Sequence, residues 1–149
     1  MRAFVTAGAG FLLAVLWFDL MFDVQTLGHG RHELPDQVLS SIAGYYARVT
    51  TAARPMNRLI ATVMLATVAA IVVEIARGAA PAAIAWASLA LAVAPIALAG
   101  ARTVPSAVRL GTRRDTPAQQ SALAHAILRQ HLACFGSIAA LLVLQLASS

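Results

Sequence analysis

Four long apolar runs alternate with polar segments along the chain, and each run is bounded by charged residues or by proline. The runs cover residues 4–18, 59–73, 81–101 and 132–147. An α-helix satisfies its backbone hydrogen bonds within one segment, as a chain in lipid requires, and no alternating β pattern occurs. The pattern therefore predicts an all-α fold, an integral membrane four-helix bundle in a single domain. The predicted spans are residues 3–27, 56–77, 81–101 and 123–147.

The distribution of arginine predicts how these spans are oriented. All eleven basic residues are arginine, which is typical of a GC-rich bacterial genome. Arg2 and Arg77 lie on one side of the bundle, Arg129 lies within the fourth span, and the two longer loops on the other side carry the rest. The positive-inside rule makes those loops cytoplasmic and both termini non-cytoplasmic, as in a multi-pass protein of the cell inner membrane. The loop arginines are Arg31, Arg48, Arg54, Arg58, Arg102, Arg109, Arg113 and Arg114.

A shorter helix is predicted between the first and second spans. Apolar residues recur there at spacings of three and four, as on one face of a helix, and Pro35 suits a first helical turn. This amphipathic helix lies on the cytoplasmic surface, or it continues the second span inward until Pro55 kinks it. Tyr45, Tyr46 and Arg48 are then expected at the level of the lipid headgroups. The stripe consists of Leu34, Val38, Ile42, Tyr45 and Val49.

Packing signals inside the runs favour a compact bundle. Small residues four positions apart allow helix backbones to approach closely. Pro95 is expected to kink the third helix, with a neighbouring helix or water satisfying the carbonyl that proline frees, and Thr116-Pro117 is expected to cap the fourth helix. The small residues are Thr6, Gly10 and Ala14 on the first helix, and Gly136 and Ala140 on the fourth.

Composition agrees with a chain surrounded by lipid. Hydrophobic residues make up 60% of the sequence and charged residues 11%, against about half and a quarter in soluble domains. The first run is longer than the apolar part of a signal peptide and lacks a small-x-small cleavage site, so a mature helix is expected. The net charge of +5 does not indicate nucleic acid, because the arginines end apolar runs. The bilayer is the predicted partner, and the single Cys134 excludes a multi-cysteine metal site.

A cluster of polar residues is predicted at the cytoplasmic ends of the spans. Runs of about 15 residues cover only about 22 Å of a hydrocarbon core near 30 Å, so flanking polar groups reach into the membrane. Asp19 and Asp23 share one helix face at i, i+4, as do His125 and Arg129, whereas His131 lies roughly 120° from His125 around the helix axis. The predicted cluster consists of Asp19, Asp23, Arg58, Arg102, His125, Arg129 and His131.

This cluster has more than one interpretation. Charged residues inside a membrane usually mark a functional site, but Asp19 could equally pair with Arg129 or Arg58 to fix the helix register. Carboxylates and imidazoles also suit a transition metal, with Asp19, Asp23, His125 and His131 as candidate ligands and no cofactor specified. The nearby segment 29–33 holds two His and one Glu, but its glycine indicates a solvated loop.

The segment 103–110, Thr-Val-Pro-Ser-Ala-Val-Arg-Leu, precedes a final helix bearing His131 in the second half of the chain. In this segment and in its topology the chain resembles the small four-helix membrane family called anthrone-oxygenase-like, whose function is unknown. The chain has Ser106-Ala107 where the family has Thr-Asn, and no Arg follows soon after His131. The resemblance implies His131 as the residue that matches the family's histidine.

Three functions are compatible with these patterns, and the scarcity of motifs favours the first of them. It is a non-catalytic accessory or scaffold subunit, whose polar cluster holds the helices together and whose partners are other membrane subunits or a second copy. The second is a small membrane oxidoreductase or oxygenase-like enzyme that acts on a lipophilic substrate through the Asp and His residues. The third is an oligomeric transporter, which needs a polar path past Val15, where only Glu74 and Arg77 are available.

Overall fold

The computed structural model describes residues 1–30, 33–52 and 54–148, and these residues form helices and turns without a strand. The helices are α1 (Arg2–Asp23), α2 (Asp36–Ala47), α3 (Arg54–Ala76), α4 (Ala82–Leu98), α5 (Val104–Gly111) and α6 (Pro117–Ala147). Four helical segments are long and apolar enough to cross a membrane, which confirms the all-α prediction and its four long apolar helices. These segments are Arg2–His29, Pro55–Ala76, Ala82–Gly111 and Pro117–Ala147.

The long helices extend beyond the predicted spans. A 3₁₀ segment, Val24–His29, prolongs α1, and a π-helical segment, Ala99–Thr103, joins α4 to α5 in a helix of 30 residues. The arginine-rich region predicted as a long loop is therefore helical on both sides of a short turn over residues 112–116. The 31 residues of α6 correspond to about 46 Å, more than a hydrocarbon core of about 30 Å.

The start of α6 follows its sequence signal. Thr116 accepts a hydrogen bond from the Gln119 backbone N–H at 3.3 Å, and the Gln119 side chain accepts one from the Thr116 N–H at 3.2 Å. This reciprocal capping box, with Pro117 at the first helical position, satisfies backbone donors that have no partner inside the helix. The predicted cap is confirmed.

Two hydrophobic cores follow one another along the bundle. The bundle core joins the four long helices and consists of Val5, Ala9, Leu12, Ala70, Ile71, Ala92, Ile138 and Leu141. The end core is formed where α2 packs on α5 and α6, and it consists of Leu34, Leu39, Ile42, Ala43, Tyr46, Ala107, Leu110, Ala124 and Ile127. The segment between the first two long helices is thus packed against protein on one face.

The buried face of α2 differs from the predicted stripe. Leu39 and Ala43 are 1% exposed and Tyr46 is 2% exposed, whereas Val38 and Tyr45 are only partly buried at the edge of the end core. The buried face is rotated around the helix axis by about one residue relative to the prediction. The packing of α2 against α5 and α6 decides which face is buried, and the spacing of the apolar residues does not show that direction. Tyr46 was predicted at the level of the lipid headgroups. Its side chain lies inside the protein and so does not contact lipid, while its depth stays a prediction.

Two packing predictions have different outcomes. Gly10 and Gly136 are exposed, and a Cβ at either would meet no atom within 4 Å, so the predicted small-residue stripes do not pack within this chain. The close approach is at Gly8 instead, where a Cβ would overlap the Thr67 hydroxyl of α3. The freed carbonyl at Pro95 is satisfied by a neighbouring helix, as expected: the Leu91 carbonyl, which loses its helical donor there, accepts the Ser137 hydroxyl at 2.9 Å. The kink itself stays a prediction.

Candidate functional site

Five polar side chains meet between the bundle core and the end core. Asp19 and Asp23 come from α1, where their spacing of four residues places both on one face. Tyr45 and Tyr46 come from the last turn of α2, and His131 comes from the middle of α6. We call these five residues the polar pentad.

Asp23 is the buried centre of the pentad, with 1% of its surface exposed. Its Oδ1 accepts the Tyr46 hydroxyl at 2.6 Å, and its Oδ2 accepts His131 Nδ1–H at 2.6 Å. The Tyr46 oxygen lies 3.4 Å from the same imidazole nitrogen. These short contacts are typical of hydrogen bonds to an ionised acceptor, and they fix the orientation of the His131 ring.

Asp19 faces the opposite edge of that ring. Its Oδ1 accepts the Tyr45 hydroxyl at 2.6 Å, while its Oδ2 lies 3.9 Å from His131 Nε2. A separation of 3.9 Å is compatible with charge attraction but too long for a hydrogen bond. The Asp19 side chain is 17% exposed, against 1% for Asp23. The imidazole therefore has one nitrogen bound to a buried carboxylate and the other facing a more accessible one.

The two tyrosines remain neutral donors. Burial raises the pKa of Tyr45 and of Tyr46 well above the ordinary value, and the neighbouring carboxylates raise both further. Each hydroxyl thus keeps its proton and donates a hydrogen bond to a carboxylate. With Nδ1–H directed at Asp23, the neutral imidazole has its lone pair at Nε2, on the side of Asp19. Nε2 is then the ring nitrogen that forms no hydrogen bond among the described residues.

The other predicted cluster residues lie elsewhere. His125 Nδ1 is 2.8 Å from the Ser121 carbonyl and its Nε2 is 2.5 Å from the Gly30 carbonyl, so this ring tethers α6 to the segment after α1. Arg58, Arg102 and Arg129 are exposed, and within the described ranges none of them forms an ion pair. Asp19 accordingly pairs with His131 and Tyr45 rather than with Arg129 or Arg58.

The geometry also bears on the metal hypothesis. Among the residues that the structure describes, no three His, Cys, Asp or Glu side chains could hold a metal ion together. His125 is engaged away from the pentad, and the two carboxylates approach His131 at different ring nitrogens. One ion cannot bind both carboxylates and the same nitrogen in that arrangement. In the segment 29–33, Arg31 and His32 lie outside the described residues.

The tyrosines were absent from the sequence-predicted cluster. Their partners are 26 and 23 positions away along the chain, so only the packing of α2 on the bundle brings them to Asp19 and Asp23. One local signal was available. Adjacent tyrosines at the end of an amphipathic helix place one phenol on the apolar face, and a buried phenol usually finds a hydrogen-bond partner.

No protein-family model matches the chain, and neither a curated protein nor a solved structure matches it. The fold and the geometry of the polar pentad are therefore the basis for a functional proposal.

Proposed function

We propose that this chain is a small multi-pass membrane enzyme in which His131, oriented by Asp23, acts as an acid–base group on a lipophilic substrate. One observation carries the proposal: His131 Nδ1 is 2.6 Å from the fully buried Asp23, while Nε2 faces Asp19 across 3.9 Å without a hydrogen bond. A general base needs this arrangement, with one nitrogen fixed by a buried carboxylate and the other available to the reacting group.

Asp19 and Tyr45 supply the second half of such a site. Tyr45 holds the Asp19 carboxylate by a hydrogen bond of 2.6 Å, which leaves the other carboxylate oxygen directed at Nε2. A substrate proton that Nε2 accepts would create an imidazolium between two carboxylates, which stabilise it by charge. The pentad can in this way hold a proton and return it during a reaction.

Lipid access favours an apolar substrate. Phe18, next to Asp19 on α1, is 61% exposed. In a membrane this side chain faces acyl chains rather than water, so a molecule dissolved in the bilayer approaches Asp19 across an apolar surface. The resemblance to the anthrone-oxygenase-like family adds support, because the histidine that it implies is His131.

The proposed placement is in a cell inner membrane with both termini on the non-cytoplasmic side. Among the described residues, four helices that are long and apolar enough to span support insertion. Six arginines in the segments between α1 and α3 and between α4 and α6, with Arg54 and Arg58 at the start of α3, support the orientation. The pentad then lies toward the cytoplasmic side. The rest of the bundle interior holds buried polar residues such as Glu74 and Ser88, but apolar side chains such as Val5, Ile71 and Leu141, each 0% exposed, lie among them and count against a continuous transport path within one chain.

A non-catalytic accessory role is the second candidate, and a specific observation favours it. The pentad joins α1, α2 and α6 through three hydrogen bonds of 2.6 Å, so it also ties the end core to the bundle core. In this case the cluster acts only as a structural connection. The two candidates differ in whether Nε2 of His131 is chemically available in the folded protein.

Chemical modification distinguishes them. Diethyl pyrocarbonate is a small apolar reagent that acylates unprotonated imidazole nitrogens, and mass spectrometry locates the product. We expect modification of His131 in the folded protein in lipid nanodiscs, with His125 as an internal control because both of its nitrogens face carbonyl oxygens. Asp23→Asn should slow the reaction at His131 at least about tenfold, since oriented acid–base groups contribute about 10² to 10⁴ in rate.

Asp19→Asn is the matched variant, because it leaves the bond between Asp23 and His131 in place. It should retain most of the reactivity of His131, and circular dichroism should show that both variants keep their helices. If His131 of the wild-type protein stays unmodified while either variant merely lowers stability, the enzyme proposal is wrong and the accessory role stands.

A further inference from the structure

A groove opens beside the polar pentad, between α1 and the end of α2. Its volume is about 490 Å³, within the usual range for ligand sites of about 300–1,000 Å³. Its lining combines aromatic and aliphatic side chains with hydroxyl groups and one charge. The lining includes Phe22, Ser41, Gly44, Tyr45, Arg48 and Val49.

The apolar part of the groove is a preformed surface. The rings of Phe22 and Tyr45 stack with centroids 4.0 Å apart and an angle of 10° between their planes. Val49 extends this surface from the π-helical segment that follows α2. On α1 the surface continues to the exposed Phe18, one helical turn before Phe22. An acyl chain lying on Phe22 would thus remain on apolar surface as it runs along α1.

The polar part of the groove is cationic. Arg48 is exposed and forms no ion pair within the described residues, and no carboxylate lines the groove. Ser41 adds a hydroxyl to the lining, two helical turns before Arg48, whereas the hydroxyl of Ser40 already accepts a hydrogen bond from Arg113. The guanidinium suits a phosphate group, which arginine can bind with two parallel hydrogen bonds.

We propose that this groove binds an anionic phospholipid, with the phosphate on Arg48 and Ser41 and an acyl chain on the surface formed by Phe22 and Tyr45. Charge complementarity and the continuous apolar surface along α1 both point to this occupant. A free phosphate would use Arg48 but gain nothing from the stacked rings. A zwitterionic lipid would bring a second cation close to the guanidinium.

Tyr45 connects the groove with the pentad. Its ring lines the groove, and its hydroxyl donates to Asp19 at 2.6 Å. Only the Tyr45 ring then separates a headgroup in the groove from the acid–base residues. The substrate class is accordingly an anionic amphiphile. That role as substrate rests on the proposed enzyme function, whereas the binding itself does not.

Lipid titration of the full chain in detergent tests the binding. The probes are short-chain phosphatidylglycerol, short-chain phosphatidylcholine and inorganic phosphate, and native mass spectrometry measures the bound fraction. We expect phosphatidylglycerol to bind at least about tenfold more tightly than the other two. Gly44→Leu should place a side chain in the groove, because a Cβ at Gly44 meets no atom within 4 Å, and it should weaken phosphatidylglycerol binding at least about tenfold.

Arg48→Gln should weaken phosphatidylglycerol binding by a similar factor and should remove the preference for the anionic headgroup. Two matched controls should change neither quantity: Gly10→Leu, at another glycine whose Cβ would meet nothing, and Arg58→Gln, at another exposed arginine. Equal binding of the two lipids, or binding that Gly44→Leu does not affect, would overturn the proposal. Inorganic phosphate that binds as tightly as phosphatidylglycerol would overturn it too, because the site would then be one for free anions.

The outcome is independent of the acid–base proposal. Asp23→Asn should abolish the rapid modification of His131 but leave phosphatidylglycerol binding unchanged, since Asp23 does not line the groove. Lipid binding without His131 reactivity would refute the enzyme and keep the groove. Reactivity without lipid binding would refute the groove alone.

Discussion

The contact between Gly8 and Thr67 allows a stability prediction with a worked magnitude. In Gly8→Ala the new Cβ would overlap the Thr67 hydroxyl, although it would lie 3.3 Å and 3.5 Å from the Thr67 Cβ and Cγ2 atoms. Only the hydroxyl is therefore in severe conflict. That hydroxyl donates to the Val63 carbonyl at 2.8 Å, and Thr67 is 3% exposed. The substitution must either rotate Thr67 and break this bond or push α1 away from α3.

Both responses lower the free energy of unfolding. Loss of a side-chain hydrogen bond between membrane helices costs about 0.6 kcal/mol on average and up to about 1.7 kcal/mol. Separating well-packed helices by a fraction of an ångström costs about 1–3 kcal/mol. The better helix propensity of alanine acts in the opposite direction by up to about 1 kcal/mol. Gly10→Ala measures that gain alone, because its Cβ meets nothing within 4 Å.

We expect Gly8→Ala to be less stable than Gly10→Ala by about 1–3 kcal/mol. Unfolding in mixed micelles of increasing dodecyl sulfate content, followed by circular dichroism, gives the free energies. The double variant Gly8→Ala/Thr67→Ala should recover most of the loss, with an interaction energy of about 1–2 kcal/mol, since these residues share one contact. Equal stability of the two single alanine variants, or a double variant as unstable as Gly8→Ala, would refute the packing argument.

Three further predictions concern single interactions. Ser137→Ala should lower the free energy of unfolding by about 0.5–1.5 kcal/mol in the same assay, because the Leu91 carbonyl loses its donor. Thr116→Ala should cost about 1 kcal/mol through loss of the helix cap, which hydrogen exchange would detect as faster exchange in the first turn of α6. The hydrogen bond from Arg113 and its charge lower the pKa of Asp36 in the folded protein. The pair therefore stabilises the fold fully at pH values above the unfolded pKa of about 3.9. This contribution is lost as the pH falls through the lower pKa of the folded protein. Melting temperatures of wild type and Asp36→Asn should accordingly differ at pH 6 and converge as the pH falls below the lowered pKa of Asp36.

Much of the helical framework could be predicted because its signals are local. Apolar runs bounded by charge locate the four long helices, Thr116-Pro117 marks the start of α6, and the carbonyl freed by Pro95 requires a donor. Each of these follows from backbone hydrogen bonding within a few residues. The extent of α5 could not be read in this way, because arginines at exposed positions are compatible with either a loop or a helix.

The members of the site were harder to predict, because the depth of a residue in the membrane does not say in which direction its side chain points around the helix axis. Residues at the same level of a bundle can point in opposite directions, and Arg129 and His131 show this. Two positions along a helix correspond to about 200° of rotation, so when His131 faces the interior, Arg129 faces outward, as its exposure confirms. Arg58 and Arg102 were also assigned by level alone, and both are exposed.

Helix phase explains which polar residues enter the pentad. On α6, His131 falls in one stripe of buried positions that repeats every three or four residues, and on α1 Asp19 lies seven positions after Leu12 with Asp23 one turn further. Tyr46 likewise follows Leu39, Ile42 and Ala43 on α2. The α6 stripe runs through Ala124, Ile127, His131, Cys134, Ile138 and Leu141. A polar residue in phase with the apolar stripe of its own helix must point at the neighbouring helices, where an unpaired polar group is costly. The partners of such residues are therefore expected among polar residues that lie in the apolar stripes of other helices. This rule selects Asp23, Tyr46 and His131, and it excludes Arg129, which lies outside the apolar stripe of α6.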